Sequence, residues 1–305
     1  MFMNILKKNI RSFSNLSYIY HDINLFSKKT ETSINLNNLI NYSDINDHKK
    51  IVLASQFIHN EIPIRLSKKI KTLDSLPYDF YNNVYINKIR EWYIDSFYDI
   101  RNFRYPTTFE DSVNMKNITN NIFNRHSSTL TTMANGINIL KQENIDINNK
   151  QLQNFLNNFF KSRIGIRILL DHYNCTFSEN NINNTGIINM NCCPYYIIKQ
   201  IESDINFICH NNNIDIPKIN INKNFVSFPY ISSHLYYILF EILKNAVKAN
   251  YEFNKNKKEI PNINININND NNFIIIKISD YGKGIQDHKK KHIWNYFYST
   301  TNIFP

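Results

Sequence analysis

Glycine is the first shortage. The chain of 305 residues has five, Gly136, Gly165, Gly186, Gly282 and Gly284, and none follows the last. Asparagine fills the loops instead, in runs such as "SENNINNTG", "HNNNID" and "NINININNDNN". Compositional bias of this kind says little about function. Cysteine is also scarce. Cys175, Cys192, Cys193 and Cys209 form no C-x-x-C pair, which argues against a usual zinc or disulfide framework and fits a reducing compartment. No stretch approaches the ~18–20 consecutive apolar residues of a membrane span. Basic residues are scattered, with no Lys/Arg run beyond "DHKKKH" at 287–292, which argues against nucleic acid as a partner.

What is present points elsewhere. Apolar residues make up 42% of the chain, enough for real cores and against global disorder. The length allows one large domain or two ordinary ones. A formal net charge of +10 suits a nucleotide, an acidic protein or a membrane surface, or simply a well-solvated exterior. The opening "MFMNILKKNIRSFSNLSYIYH" carries Lys7, Lys8 and Arg11 and no acid before Asp22. Residues 1–25 therefore read as a mitochondrial presequence.

Two textures follow. From about 30 to 180 the apolar spacing is helical. "IVLASQFIHNEIPIRLSKKIKTLDSLP" opens helical and ends in a turn at Pro77. "VYINKIREWYIDSFYDIRNF" places Ile86, Ile89, Tyr93 and Phe97 on one face. Ile118, Ile122, Leu130, Met133, Ile137 and Leu140 recur between 111 and 141, and Leu152, Phe155, Phe159 and Leu169 repeat the pattern. Four long amphipathic helices in series predict an antiparallel four-helix bundle with its aromatics in the core. Beyond a boundary near 176–190 the chain reads as α/β. Short strands lie around "NTGIINMNCCP" and "KNFVSFPYI", and a helix with Ile198, Ile201, Ile205 and Ile208 in register stands between them. A second helix then precedes an antiparallel pair, "INININI" and "FIIIKIS", joined at "NNDNN".

The chemistry-bearing residues sit on that second helix and just after the pair. In "FEILKNAVKANYEF" (240–253), Leu243, Ala246, Val247 and Asn250 form one face, and Glu241, Asn245, Lys248 and Glu252 another. Glu241 and Asn245 are one turn apart and point the same way. A carboxylate can orient or deprotonate a nucleophile, an amide oxygen suits Mg²⁺, and Lys244 and Lys248 can meet phosphates as point charges. "FIIIKIS" runs straight into "DYGKGI", where Gly282 and Gly284 permit a sharp turn and close approach to a flat ligand. Asp280 can accept a hydrogen bond from an exocyclic amine such as adenine N6. Each feature alone reads as a solvated stripe or an ordinary turn; their order carries more.

A helix with E-x-L-K-N-A, then an antiparallel pair, then D-x-G-x-G, resembles the GHKL ATPase superfamily. "EIPIRLSKKIKTLDSLP", "WYIDSFYDI", "RHSSTLTTMANGI" and "FFKSRIGIRILLDHY" precede them, and in that order they resemble the mitochondrial 2-oxoacid dehydrogenase kinases, from about residue 50 onward. The resemblance implies an α + α/β fold: a four-helix bundle over 30–180 and a GHKL ATP-binding α/β sandwich over 185–305. It implies that Glu241 is the general base toward a serine hydroxyl and that Asn245 holds Mg²⁺. Asp280 would read adenine, with Gly282, Gly284 and Ile285 shaping that pocket, Lys244 and Lys248 flanking the phosphates, and Ser299 and Thr300 at the start of the lid. Position 248 is usually Arg in that family, so a bidentate contact is lost while the charge stays.

Tyr237, one turn before Glu241, stands where pyruvate-directed members carry His, and tilts the target toward the branched-chain complex. The implied activity is Mg²⁺- and ATP-dependent phosphorylation of the decarboxylase component of a 2-oxoacid dehydrogenase complex, branched-chain or pyruvate, in the mitochondrial matrix. The lipoyl domain would be the docking site and a homodimer the implied assembly. The chain stops at Pro305, where that family's lid would begin, so an ATP-binding module cut before the lid and second Gly-rich segment is expected to hold ATP very weakly and, by itself, to transfer little or no phosphoryl group. The alternative is an inactive kinase-like module that docks on the lipoyl-bearing core. A two-component histidine kinase is a third reading; against it, no histidine sits in an evident phospho-acceptor hairpin, and His126 reads as structural.

Overall fold

The computed structural model describes residues 13–41, 47–77, 80, 82–143, 145, 150–177, 184–211, 217–270 and 273–298. The chain divides into two compact units, residues 1–179 and 180–305. Among the described residues no helix is long and apolar enough to cross a membrane.

The first unit is helical: α1 (Phe13–Ser27), α2 (Leu36–Asn41), α3 (His48–Asp74), α4 (Val84–Arg101), α5 (Phe109–Arg125), α6 (Thr129–Gln142) and α7 (Lys150–Cys175). Local chemistry starts each of the main ones. Asp47 caps α3 by accepting from the Lys49 and Lys50 amides, Asn83 caps α4, and Thr108 with Asp111 forms a capping box on α5. Helical spacing then buries one stripe per helix. On α3 it runs through Ile51, Ile58, Ile62, Leu66, Ile70 and Leu73; on α4, through Ile86, Ile89, Tyr93, Phe97 and Ile100. Helix α3 lies against α1, α4, α5 and α7, while α4 meets α6 and α5 meets α7. The aromatics expected in the core are there: Tyr93, Phe97 and Phe159 are fully buried.

The pattern between 111 and 141 forms two helices where one was expected. The break falls at His126–Ser128, within the polar run "RHSST". There the Thr129 hydroxyl donates to the His126 carbonyl at 2.8 Å, a local side-chain bond that competes with the helix ladder. Leu130 consequently turns outward, and Ile118 is only half-buried. Part of the presequence expectation also meets packed structure. Ile19 and Ile23 of α1 are buried, Asp22 pairs with Arg101 at 3.0 Å, and Phe26 stands edge-on to Phe97 at 5.7 Å. A cut after residue 25 would remove Ile19, Asp22 and Ile23 and leave Phe26 at the new terminus.

The second unit is α/β: β1 (Asn184–Thr185), β2 (Ile188–Cys192), α8 (Pro194–Asn211), β3 (Ile219–Ile221), β4 (Phe228–Tyr230), α9 (Ser232–Asn254), β5 (Ile263–Asp270), β6 (Phe273–Ser279) and α10 (Asp287–Lys290). Among the described residues two small three-stranded sheets form, β1-β2-β4 and β3-β5-β6. The hairpin β5–β6 is antiparallel, as read; β3 adds to it in parallel, Ile219 opposite Ile263. Strict alternation puts Ile263, Ile265 and Ile267 into the core. There they share one cluster with Ile198, Ile201 and Ile205 of α8 and Leu239, Leu243 and Val247 of α9. Among the described residues strand β6 pairs with β5 alone, and Phe273 and Ile275 are exposed.

Candidate functional site

Helix α9 has the two faces its sequence requires. Leu235, Leu239, Leu243, Ala246, Val247, Asn250 and Asn254 are buried. On the other side Glu241 and Lys248 are half-buried and Asn245 is exposed. The Lys244 ammonium donates to Glu241 Oε1 at 3.2 Å, and Lys248 lies 3.9 Å from Glu252. Tyr237, one turn before Glu241, is exposed.

Glu241, Asn245 and Ala249 follow one another at four-residue steps, so they share a stripe ~12 Å long. The loop after β6 docks at its far end. A Cβ on Gly282 would lie 2.8 Å from the Ala249 Cβ and 2.9 Å from the Ala249 carbonyl oxygen. Only a residue without a side chain lets the two backbones come so near. Asp280 is exposed at the head of this loop, with its Oδ1 accepting from the Gly282 amide at 2.8 Å. Gly284 adopts φ +74°, the left-handed region, and Ile285 is exposed beside it. Asn254 donates to the Tyr281 carbonyl at 3.0 Å. Thus the structure brings the Glu241–Asn245 face of α9 and the Asp280–Ile285 loop to one place. Ser299 and Thr300 lie outside the described residues.

The donor set has a definite chemistry. One carboxylate, one neutral amide oxygen and two ammonium groups line a single helix face, and a second carboxylate follows in the loop. Among the described residues no group of three or more His, Cys, Asp or Glu side chains could hold a metal ion by itself. Mg²⁺ takes one or two protein oxygens and completes its shell with water and substrate phosphates, and the exposed Asn245 amide can offer one such oxygen. The residues present fit a metal–nucleotide.

Two features escaped the sequence. Asn254 is a fully buried tether, where abundant asparagine suggested only loop filler; its i, i+4 spacing from Asn250 on the apolar face was the available signal. The other is a cavity of about 400 Å³ in the helical unit, lined chiefly by Leu39, Leu53, Phe57, Leu169, His172 and Tyr173. Its rim is fastened. Glu61 accepts from the Thr32 amide at 3.0 Å and hydroxyl at 2.8 Å, while Arg65 bonds both Glu61 and the Thr32 carbonyl at 2.8 Å. His172 Nε2 lies 3.1 Å from the Leu39 carbonyl, which calls for a proton on Nε2; burial pushes its pKa down to about 4 and so favours the neutral ring.

Two family models match the chain. The family model for histidine kinase-, DNA gyrase B- and HSP90-like ATPases matches residues 230–303. The α9 face and the Asp280 loop therefore belong to a GHKL-class ATPase domain. The model for mitochondrial branched-chain alpha-ketoacid dehydrogenase kinase matches residues 33–189, about half of the chain, and the chain belongs to that family of protein kinases.

Relatives align over nearly the whole sequence. A mitochondrial [pyruvate dehydrogenase (acetyl-transferring)] kinase of Arabidopsis thaliana is 28% identical over 286 residues, 92% of this chain and 78% of the relative. Isozyme 4 of that kinase from Mus musculus is 27% identical over 308 residues, 96% of this chain and 74% of the relative. Isozyme 1 from Homo sapiens is 26% identical, covering 91% and 67%.

Proposed function

We propose that this chain is an ATP- and Mg²⁺-dependent protein serine kinase of the mitochondrial matrix, acting on the decarboxylase component of a 2-oxoacid dehydrogenase complex. The observation that carries the reading is the docking of Gly282 on Ala249, which sets the Asp280 loop on the stripe that bears Glu241 and Asn245. Bound Mg·ATP would supply the phosphoryl group. Phosphoryl transfer depends mainly on positioning and charge neutralisation, and the residues divide that work. Asp280 accepts the adenine amine, with Gly282, Gly284 and Ile285 around the base. Lys244 and Lys248 balance phosphate charge, and Asn245 offers its amide oxygen to the metal. Glu241 receives the proton of the incoming serine hydroxyl.

The target complex is branched-chain or pyruvate. The family model for residues 33–189 and the exposed Tyr237 favour the first; the names of the relatives favour the second. We take the helical unit as an antiparallel four-helix bundle that docks the lipoyl domain, and infer a homodimer. Its apolar cavity suits the alkyl and dithiolane parts of a lipoyl-lysine arm. We place the end of the presequence upstream of Phe13, because α1 is part of the packed unit.

Transfer of labelled phosphate from ATP to the decarboxylase component of each complex tests the reading. Incorporation into one of them on serine, lost in Glu241→Gln, is expected; no incorporation into either overturns it. A second reading, a docking module without transferase activity, is favoured by the same cavity. It predicts capture of lipoylated domain that is blocked by Leu53→Trp and indifferent to Glu241→Gln and Asn245→Ala, with no nucleotide binding at all.

A further inference from the structure

Asn254 sits in the last turn of α9 and is fully buried. Its Nδ2 donates to the Tyr281 carbonyl at 3.0 Å, and to the carbonyl and Oδ1 of Asn250 at 2.8 and 2.9 Å. Among the described residues its own Oδ1 meets no partner. A core amide with its donor engaged and its acceptor unpaired contributes through its donor: an apolar side chain would fill the space without stranding an oxygen, but would leave the Tyr281 carbonyl without this bond.

The bond lands on a consequential peptide unit. The Tyr281 carbonyl and the Gly282 N–H belong to the same plane, and that N–H donates to Asp280 Oδ1 at 2.8 Å. A peptide is rigid, so fixing its oxygen fixes its hydrogen. The direction of the Asp280 carboxylate is thereby tied to α9 through one plane. Asn250 steadies the arrangement from behind: it is fully buried, and its Nδ2 donates to the Pro261 carbonyl at 2.6 Å. The contact of Gly282 with Ala249 supplies the second point of attachment.

We propose that Asn254 is a positioning residue for base recognition: it orients the Tyr281–Gly282 peptide, and through it the Asp280 carboxylate that meets an exocyclic amine. The proposal rests on the nucleotide-binding reading above. It concerns which base is accepted, not how the phosphates are held. Adenine presents an amine donor where guanine presents a carbonyl oxygen, so a well-aimed carboxylate favours the first and repels the second.

Two measurements on the whole chain separate this proposal from the reading beneath it. The first is hydrogen exchange of the segment 280–285 without nucleotide. Asn254→Ala is expected to raise its exchange about tenfold while the core strand β5 stays protected. Unchanged exchange overturns the tether whatever the protein binds. The second is the ratio of affinities for N-methylanthraniloyl-ATP and N-methylanthraniloyl-GTP. The wild-type chain should prefer ATP, and Asn254→Ala should reduce that preference about tenfold, mostly through weaker ATP binding. A purely structural residue would weaken both nucleotides together, and an unaltered ratio overturns the proposal.

If the wild type binds neither nucleotide, the reading fails, and with it this role in base selection. Asn254→Leu, which leaves no cavity, replaces the alanine variant should that one not fold. If neither folds, NMR of the wild type decides: fast-exchanging Asn254 side-chain amide protons overturn the proposal, slow ones support it.

Discussion

Gly282 and Ala249 touch through their backbones: a Cβ on the glycine would stand 2.9 Å from the alanine's carbonyl carbon and oxygen. The partner atoms belong to a helix interior and cannot swing aside. This contact makes one site from two segments far apart in sequence.

Gly282→Ala should therefore lift the loop from α9. Affinity for a fluorescent ATP analogue is expected to fall about tenfold or more, with little change in the melting of the helical unit. Gly284 differs. Its Cβ would meet nothing within 4 Å, but its φ is +74°, so Gly284→Ala should cost about 1–2 kcal/mol of loop stability through the backbone alone. Gly284→Asn should recover part of that. Equal effects of the two alanine substitutions would contradict this account.

Glu241→Gln keeps the shape of the side chain and removes its basicity. We expect phosphotransfer to fall by about 10²–10⁴, with nucleotide affinity changed less than about threefold, because Lys244 and Lys248 remain. Single-turnover transfer alongside equilibrium titration would show it. A matched loss in both would mean that Glu241 serves binding rather than proton transfer.

Asn83 performs two tasks in the helical unit. Its Oδ1 accepts from the Tyr85 and Ile86 amides at the start of α4, and its Nδ2 donates to the Gly136 carbonyl in α6 at 3.1 Å. Asn83→Ala should destabilise this unit by about 1–2 kcal/mol. Urea unfolding followed by Trp92 fluorescence, in a Trp294→Phe background, reads the effect without a signal from the other unit's tryptophan.

His126 and His172 should make the helical unit acid-sensitive. Burial pushes both down from 6.5 to about 4, and for His126 the neighbouring Arg125, Arg163 and Arg167 push the same way. The unfolded chain then takes up protons between pH 6.5 and 4 that the native state refuses. Stability is full above pH 6.5 and declines as pH falls through that window, by on the order of 3 kcal/mol for each histidine. His126→Gln should flatten the dependence of the urea midpoint on pH by about one proton. A slope unchanged by that substitution would show that His126 titrates normally.

Periodicity made the helices and β5 legible, and the E-x-L-K-N-A and D-x-G-x-G stretches marked the two segments of the candidate site that Gly282 and Ala249 join. What stayed hidden was non-local. Strand β3 is three residues of the same Ile/Asn texture as β5, so nothing in it announced a parallel partner. The interruption at His126–Ser128 depends on a threonine hydroxyl reaching a carbonyl, which spacing alone does not reveal. Gly282 read as a turn residue, whereas its closest requirement is a helix more than thirty positions earlier. Phe273 and Ile275 alternate onto the exposed face of β6, which an apolar run without polar alternation does not reveal.

The fastening of Thr32 by Glu61 and Arg65 has a kinetic meaning. That stretch is anchored to α3 before any guest arrives, so the cavity beside it is a standing vessel rather than one moulded around its contents. Its occupant would meet no slow rearrangement on entry, and selectivity would come from dimensions and oiliness, expressed in how quickly a misfit escapes.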